Sequence, residues 1–268
     1  LRKKSVLLFI SCWGLVLCSL LIINSSVQAN SKLHQGKKLF SQARTDYYNS
    51  PLYDKSPAKK DRVIAQSISQ LKESKQYFKQ LSKKFNCYYW QGRVHFLLAE
   101  IQETKKNKRK AAINFKKTET LAKKALRTNN TSSKAHRLLA DSYVRQMNYR
   151  GGLYAAKYGP KALKLLKKAV ELDKTNYRAW NSLGTYYHFA PKIGGGDTAK
   201  AIKALNKALT SKDEYITFLS YVWLGTIYQQ EKNDLTKAKN YFQQALAIYP
   251  HNHWAQKKLK KVSHKGGN

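Results

Sequence analysis

Residues 221–250 have the sequence YVWLGTIYQQEKNDLTKAKNYFQQALAIYP, and this stretch decides the fold. Its first apolar residues recur at the spacing of one helix face: Tyr221, Leu224, Gly225 and Tyr228. Asp234 stands directly before a second apolar-periodic run, in the position of a helix N-cap. Pro250 ends that run. The stretch therefore predicts two consecutive helices joined by a short turn.

Three further copies of the leucine-plus-small-residue pair occur upstream. The small residues of the four pairs are Ala99, Ala140, Gly184 and Gly225, at separations of 41, 44 and 41 residues. Each pair precedes a second helical pattern that contains alanine. The arrangement resembles the tetratricopeptide repeat, which has Leu-Gly/Ala and Tyr on one helix and Ala, an aromatic residue, Ala and Pro on the next. The resemblance covers about residues 87–262. It implies an all-α fold, a right-handed α-solenoid of antiparallel helix pairs with about eleven helices.

The small residues have a steric reason. Two helices approach to about 8–10 Å only where one side of the contact is small. One helical hairpin cannot bury its apolar face alone, so the units must stack. The standard repeat has about 34 residues, so the units of this chain are stretched. We expect the additional residues in loops between paired helices, at 105–110, 148–158 and 190–196.

The predicted organisation has four parts. Residues 1–29 form a signal peptide or an uncleaved anchor, and residues 30–86 form a degenerate helical hairpin. Residues 87–250 hold four stretched units, and residues 251–268 form a capping helix and a tail. The unit boundaries are 87–130, 131–176, 177–214 and 215–250. The hairpin rests on two apolar faces: Leu39, Phe40, Ala43 and Tyr47, then Val63, Ile64, Ile68, Leu71 and Phe78.

The N-terminal segment indicates export. Arg2-Lys3-Lys4 precedes an apolar stretch from Val6 to Ile23, and Val27-Gln28-Ala29 follows. This is the order of a secretory signal peptide with cleavage after Ala29. An uncleaved anchor is the alternative, since 18 residues nearly span a bilayer. We expect an exported protein, either periplasmic or secreted, or one held at the membrane by this segment.

The chain is strongly basic. It has 51 Lys and Arg against 15 Asp and Glu, a net charge of +36, and cleavage of residues 1–29 would leave +33. Such a charge attracts polyanions, so anionic membrane surfaces and acidic glycans are candidate partners. The alternative is that the lysines only solvate the outer helix faces. Nucleic acid is not expected, because exported proteins seldom meet it and the basic runs contain no recognisable nucleic-acid motif.

No pattern indicates catalysis, a metal site or a cofactor. His251-x-His253 supplies two ligands, fewer than a structural zinc site needs. Gly194-Gly195-Gly196-Asp197 lacks the Gly-Lys-Ser/Thr ending of a phosphate loop. Cys87 alone in a cleaved chain cannot form an internal disulfide. We therefore predict a non-enzymatic protein without a cofactor.

The resemblance also implies a concave groove lined by the first helix of each unit. The predicted groove residues are Arg137, Asp141, Arg145, Asn181, Thr185 and His188. Chaperone-binding members of the family clamp a C-terminal carboxylate with Lys and Asn at groove positions. This chain departs from that pattern in every unit, so chaperone tails are not the expected ligand.

Three functions are open at this point. The leading hypothesis is an exported scaffold for protein–protein interaction, with a partner that the sequence does not identify. The second is a peripheral binder of anionic lipid or polysaccharide surfaces. The third is a small-molecule carrier accessory to a transporter, with an apolar pore lined by residues such as Trp180, Tyr187 and Phe189. The third draws on a resemblance of the stretched units to periplasmic helper proteins of TRAP solute transporters.

Overall fold

A computed structural model describes the backbone of residues 2–50, 57–82 and 84–265. Side chains are described from residue 25 onward in these ranges, except at 57, 59 and 265. The described chain forms ten α-helices and no strand. The helices are α1 Arg2–Tyr48, α2 Pro57–Lys79, α3 Phe85–Thr104, α4 Lys108–Thr128, α5 Ser133–Leu172, α6 Tyr177–Phe189, α7 Thr198–Leu209, α8 Glu214–Gln230, α9 Leu235–Ile248 and α10 His253–Lys265.

The helices pack as neighbours in chain order. α1 packs on α2, α3 on α4, α6 on α7 and α8 on α9, and α10 covers α9. α5 consists of two helical segments, because Gly151 has a φ of 77° and interrupts the helical backbone. The prediction of an all-α solenoid of helix pairs, with about eleven helical segments, is confirmed.

The small residues of the repeat make room for side chains of the paired helix, as predicted. A methyl group on Gly184 would lie 2.7 Å from Leu205 Cγ and 3.0 Å from the carbonyl oxygen of Ala201. A methyl group on Gly225 would lie 2.7 Å from the ring of Phe242. Both positions therefore need glycine, because real Cβ atoms do not approach other heavy atoms so closely.

Asp residues cap two second helices at the predicted positions. The Asp197 carboxylate accepts a hydrogen bond from the Lys200 backbone N–H at the start of α7. The Asp234 carboxylate accepts one from the Lys237 backbone N–H at the start of α9. Each cap satisfies a backbone donor that has no partner inside its helix.

The predicted faces of the N-terminal hairpin form one apolar cluster. Phe40, Ala43 and Tyr47 of α1 are buried against Ile64, Leu71 and Phe78 of α2. Cys87 is buried in the same cluster and acts there as a small apolar residue. The hairpin is therefore continuous with the packing of the first repeat unit.

The sequence predicts a loop at 148–158, but the structure has helix there. Both arms of this segment are helical, and only Gly151 leaves the helical conformation. The flanking residues include Leu153, Ala155 and Ala156, which favour helix and extend both arms. The extra length of this unit is therefore longer helix. The segment 190–196 is a loop, as predicted, with a 3-10 turn at Lys192–Gly194 and Gly195 at φ 90°.

The prediction of a signal peptide at residues 1–29 falls almost entirely outside the described side chains. The backbone of α1 is helical from Arg2 through Ala29 and on to Tyr48. In the part of the chain whose side chains are described, no helix has the length and apolar character needed to cross a membrane. The division of the chain into domains and units stays a prediction.

Candidate functional site

The inner faces of α3, α5, α6 and α8 surround a cavity of about 410 Å³. Each of these helices is the first helix of a pair, which is the position that the resemblance assigns to a concave groove. The end of α1, with Tyr47 and Tyr48, closes one side of the cavity. The start of α10, with His253 and Trp254, closes the side beside it. The groove of this solenoid is therefore a cavity with a nearly complete ring of helices around it.

The ring is closed by contacts between the two ends of the chain. The side-chain amide of Asn252 donates a hydrogen bond to the Tyr48 carbonyl oxygen at 2.6 Å. The Tyr215 hydroxyl donates to the Tyr48 hydroxyl at 3.1 Å, and the two ring centroids are 4.7 Å apart. Arg44 of α1 donates two hydrogen bonds to Asp213, each of 3.3 Å. We call this set of contacts between Arg44, Tyr48, Asp213, Tyr215 and Asn252 the clasp.

Three arginines line the cavity, and they have different partners. Arg137 forms an ion pair with Asp141 through Nη1, and Arg145 forms one with Glu103. Arg178 lies with its guanidinium 4.6 Å from the centre of the Tyr215 ring. No carboxylate in the described chain is within ion-pair distance of Arg178. The cavity therefore contains one cation that is stacked on an aromatic ring but is not neutralised by a bonded acid.

A second layer of charge lies behind this wall. Arg93 is buried, donates to the Tyr89 hydroxyl at 3.2 Å and stacks on the Phe40 ring at 4.7 Å. Burial alone would raise the pKa of Tyr89, but the positive charges of Arg93, Arg137 and Arg178 outweigh it and lower that pKa to about 7. The arginines of this region are thus close enough to act on one hydroxyl group.

The carboxylates of the lining are already occupied by protein donors. Burial raises the pKa of Glu100, and the Tyr48 hydroxyl donates to its carboxylate at 3.0 Å. Glu103 accepts from Arg145 and from the Tyr149 hydroxyl. The polar atoms of the cavity thus hold its acids in place and leave part of its positive charge available.

Aromatic side chains form the rest of the wall. Trp223 and Trp254 meet edge to face with ring centroids 4.7 Å apart, and Phe96 and Tyr186 also line the cavity. A mostly apolar wall with a few placed polar groups is the usual composition of a small-ligand pocket.

Five of the six predicted groove residues line this one cavity: Arg137, Asp141, Arg145, Asn181 and Thr185. His188 lies outside the lining, where its Nδ1 contacts Glu231 and its ring is near Trp223. That these residues bind a ligand stays a prediction. The predicted pore residues are elsewhere: Trp180 and Tyr187 pack between helices, and Phe189 lies against Trp223 outside the lining. These three residues therefore do not line this cavity, and the predicted apolar pore stays a prediction.

Sequence reasoning missed several lining residues. Arg178 is three positions before Asn181, so the helical register that selected Asn181 also places Arg178 on the same face. No comparable pattern in the sequence indicated Tyr47, Tyr48 or Trp254. Their place in the lining depends on contacts between residues about two hundred positions apart in the chain.

Comparisons with known proteins agree with the described fold. Residues 219–252 match the family model described as tetratricopeptide repeat. A thermophilic tetratricopeptide-repeat protein of Thermus thermophilus, TTC0263, has 15% identity and a TM-score of 0.57, with 87% of this chain and 98% of that chain covered. The human IFIT1 dimer with m7Gppp-AAAA has 18% identity and a TM-score of 0.57. That match covers 88% of this chain and 55% of IFIT1, so this chain spans about half of that protein. A search of curated proteins finds no significant match.

Residues 219–252 thus match the tetratricopeptide-repeat model, and the described solenoid has the fold of solved tetratricopeptide-repeat structures. At these sequence identities the solved structures establish the fold alone.

Proposed function

We propose that the protein is a non-enzymatic scaffold that binds a partner protein at one edge of its solenoid. The observation that carries this proposal is the exposure of two large aliphatic side chains. Leu153 is 92% exposed and Ile193 is 99% exposed, and both follow the first helix of a pair. Because all such connections lie at the same end of the helix pairs, the two residues belong to one edge. We call this edge, with Leu153 and Ile193, the connection edge.

Charge specifies the chemistry of the partner. Arg150 and Lys157 flank Leu153 in the chain, and Lys192 precedes Ile193. With a net charge of +36, the protein will attract an acidic surface before contact. The expected partner is a protein with an acidic patch around exposed apolar residues.

The dimensions of the inner cavity support the edge as the protein-binding surface. A stable protein–protein interface buries about 800 Å² on each partner. The clasp narrows the groove to a cavity of about 410 Å³, which has the size of a small-ligand site. A folded partner must therefore dock outside the ring of inner helices.

The test uses matched substitutions of exposed aliphatic residues. Leu153→Glu with Ile193→Glu places two acids on the connection edge, and Ile113→Glu makes the same change at an exposed residue of α4. A partner captured by the unaltered protein from its own host should be lost with the double variant and retained with the Ile113 variant. All three proteins should have the same thermal stability. Retention of every partner by the double variant would refute the connection edge.

Export is a further part of the proposal and rests on the N-terminal sequence. Arg2-Lys3-Lys4 and the apolar run from Val6 to Ile23 support a signal peptide or an anchor. Expression of the full chain in a bacterium, followed by fractionation and intact mass measurement, separates the outcomes. Loss of residues 1–29 in an exported fraction indicates a signal peptide, and a full-length membrane-bound chain indicates an anchor. A full-length protein in the cytosol would contradict export.

A second candidate function is the binding of a small molecule, as a carrier that serves a transporter would require. The inner cavity favours it, because a cavity of about 410 Å³ with aromatic walls and a few charged groups suits one small ligand. Its lining differs from the predicted apolar pore because it contains three arginines and three acids. This candidate is independent of docking at the connection edge.

A further inference from the structure

Positive charge is left without bonded acids on one side of the inner cavity. Asp141 pairs with Arg137, Glu103 with Arg145, and Asp213 with Arg44. Arg93 and Arg178 have no such partner among the described residues. Of these two, only Arg178 lines the cavity, where it is half-buried. Arg93 lies behind the wall, where the Tyr89 hydroxyl accepts its hydrogen bond.

Arg137 adds a buried donor that nothing in the described chain accepts. Its side chain is 3% exposed, and its Nη1 donates to Asp141. Its Nη2 is buried and has no hydrogen-bond partner. A buried guanidinium N–H without an acceptor is uncommon in folded proteins and calls for an explanation. An acceptor supplied by a bound ligand would satisfy this donor, and it would also meet Arg178, which has no ion-pair partner among the described residues.

An aromatic ring holds Arg178 in place. Its guanidinium and that of Arg44 both stack on the Tyr215 ring, each at 4.6 Å from the ring centre. Stacking fixes the plane of the guanidinium and leaves its N–H groups directed outward from the ring edge. Arg137 and Arg178 both line the cavity.

The acids of the cavity argue against a cationic ligand. Glu100 already accepts from Tyr48, and Glu103 accepts from Arg145 and Tyr149. A cation would have to compete with these donors and approach unpaired arginines. An anion at Arg178 meets neither of these costs.

We infer that the inner cavity binds a small organic anion, with its carboxylate or phosphate at Arg137 and Arg178 and its apolar body against Trp223 and Trp254. Arginine forms planar, paired hydrogen bonds with either kind of anion. The two tryptophans supply an apolar surface for the rest of the molecule. The inference rests on the second candidate function above, a small-molecule site, and names the chemistry of its ligand.

The test compares an anionic probe with a neutral probe of the same shape and adds a second anion. Phenylacetate and phenyl phosphate are the anionic probes, and phenylacetamide is the neutral counterpart of phenylacetate. Binding to the full chain is measured by saturation-transfer NMR and by calorimetry. We expect at least one anion to bind at least about tenfold more tightly than the amide, because a hydrogen bond to a charged group carries that much discrimination. The stronger of the two anions distinguishes carboxylate from phosphate as the recognised group.

Two variants connect the binding to the named residues. Arg178→Gln should weaken the anion by about tenfold, and Arg137→Lys should weaken it while keeping the pair with Asp141. Arg150→Gln is the matched control, because Arg150 stacks on Tyr154 at 4.3 Å in the same way but lies outside the cavity. Circular dichroism checks that the variants fold. Since Arg178 has no bonded acid, its replacement leaves no carboxylate unpaired.

The outcomes separate this inference from the function on which it rests. If the amide binds as tightly as the acid, or Arg178→Gln changes nothing, the cavity remains a small-molecule site and the anion inference is overturned. If none of the probes binds, both are overturned. If the peptide acetyl-Gly-Gly-Gly-Phe binds much more tightly than phenylacetate, the site takes protein tails and the small-molecule assignment is overturned.

Discussion

Replacing Gly225 by alanine tests the steric argument on which the fold rests. The added Cβ would lie 2.7 Å from Phe242 Cε1 and within 3.0 Å of two further atoms of the same ring. Phe242 is fully buried, in a cluster with Phe218 and Tyr249, so its ring cannot move away without displacing other core side chains. The substitution must therefore push α8 and α9 apart or strain the ring.

Two opposing effects set the size of the change in the free energy of unfolding. Alanine is favoured over glycine inside a helix by about 1 kcal/mol. Overpacking a filled core costs about 1–3 kcal/mol. The steric cost should exceed the gain in helix propensity, because three ring atoms are involved and none is exposed. We expect a net loss of about 1 kcal/mol in the free energy of unfolding. This corresponds to a fall of about 2–4 °C in Tm for a chain of this size.

Gly152→Ala is the matched control for this measurement. Gly152 lies in the same type of secondary structure, but no heavy atom would come within 4 Å of its added Cβ. This variant should be more stable than the unaltered protein by about 0.4–1 kcal/mol, because alanine reduces the conformational freedom of the unfolded chain. Urea unfolding followed by far-ultraviolet circular dichroism compares the three proteins. If Gly225→Ala stabilised the protein as Gly152→Ala does, the close packing of α8 on Phe242 would not be what requires glycine.

Two further predictions concern the closing side of the ring. Asn252→Ala removes the hydrogen bond to the Tyr48 carbonyl and the cap on the Ala255 N–H. The free energy of unfolding should fall by about 1–2 kcal/mol, and amide exchange at the end of α1 should become faster. Unchanged exchange there would contradict the clasp. Burial and two nearby lysines lower the pKa of His253 from 6.5 to about 4. The unfolded chain then binds more protons than the folded one, so the protein should lose stability as the pH falls from about 6.5 to about 4. Because His253 is half-exposed, the loss should be no more than about 1–2 kcal/mol. Unfolding measured across this range should show a smaller loss for His253→Gln, and an equal loss in both proteins would count against the assignment.

The repeat was predictable because its determinants are local. Gly184 with Leu205 and Gly225 with Phe242 are contacts between consecutive helices, and the residue types alone indicate which member must be small. Asp197 and Asp234 cap helices through backbone groups three residues away. Information of this kind is contained in short stretches of sequence, so the fold class and most helix starts followed from pattern and spacing.

The helical structure of the segment 148–158 was not predictable from local sequence. Two adjacent glycines, Gly151 and Gly152, suggested a loop, but only Gly151 takes a non-helical conformation. Around it, Tyr154 and Tyr158 stack with ring centroids 4.3 Å apart, and Tyr143 packs on Tyr158 at 4.7 Å. Tertiary packing of aromatic side chains thus supports helix where the local glycines disfavour it. A stretched repeat can place its extra residues in longer helices as well as in loops.

The candidate site likewise has one part that local sequence predicts and another part that it does not. Helical register placed five predicted residues on the inner faces of α5 and α6, because a face is a local property of a helix. Whether those faces line an open groove or a closed cavity depends on the small rotation from each pair to the next, added over the whole solenoid. In this chain the added rotation brings Tyr48 of α1 to Tyr215 of α8 and to Asn252. Arg137 is consequently buried, and its Nη2 donor, which water would solvate in an open groove, needs an acceptor inside the ring. The anionic character that we assign to the ligand is therefore a consequence of ring closure, and it could not have been inferred from the groove residues before the two ends of the chain were placed together.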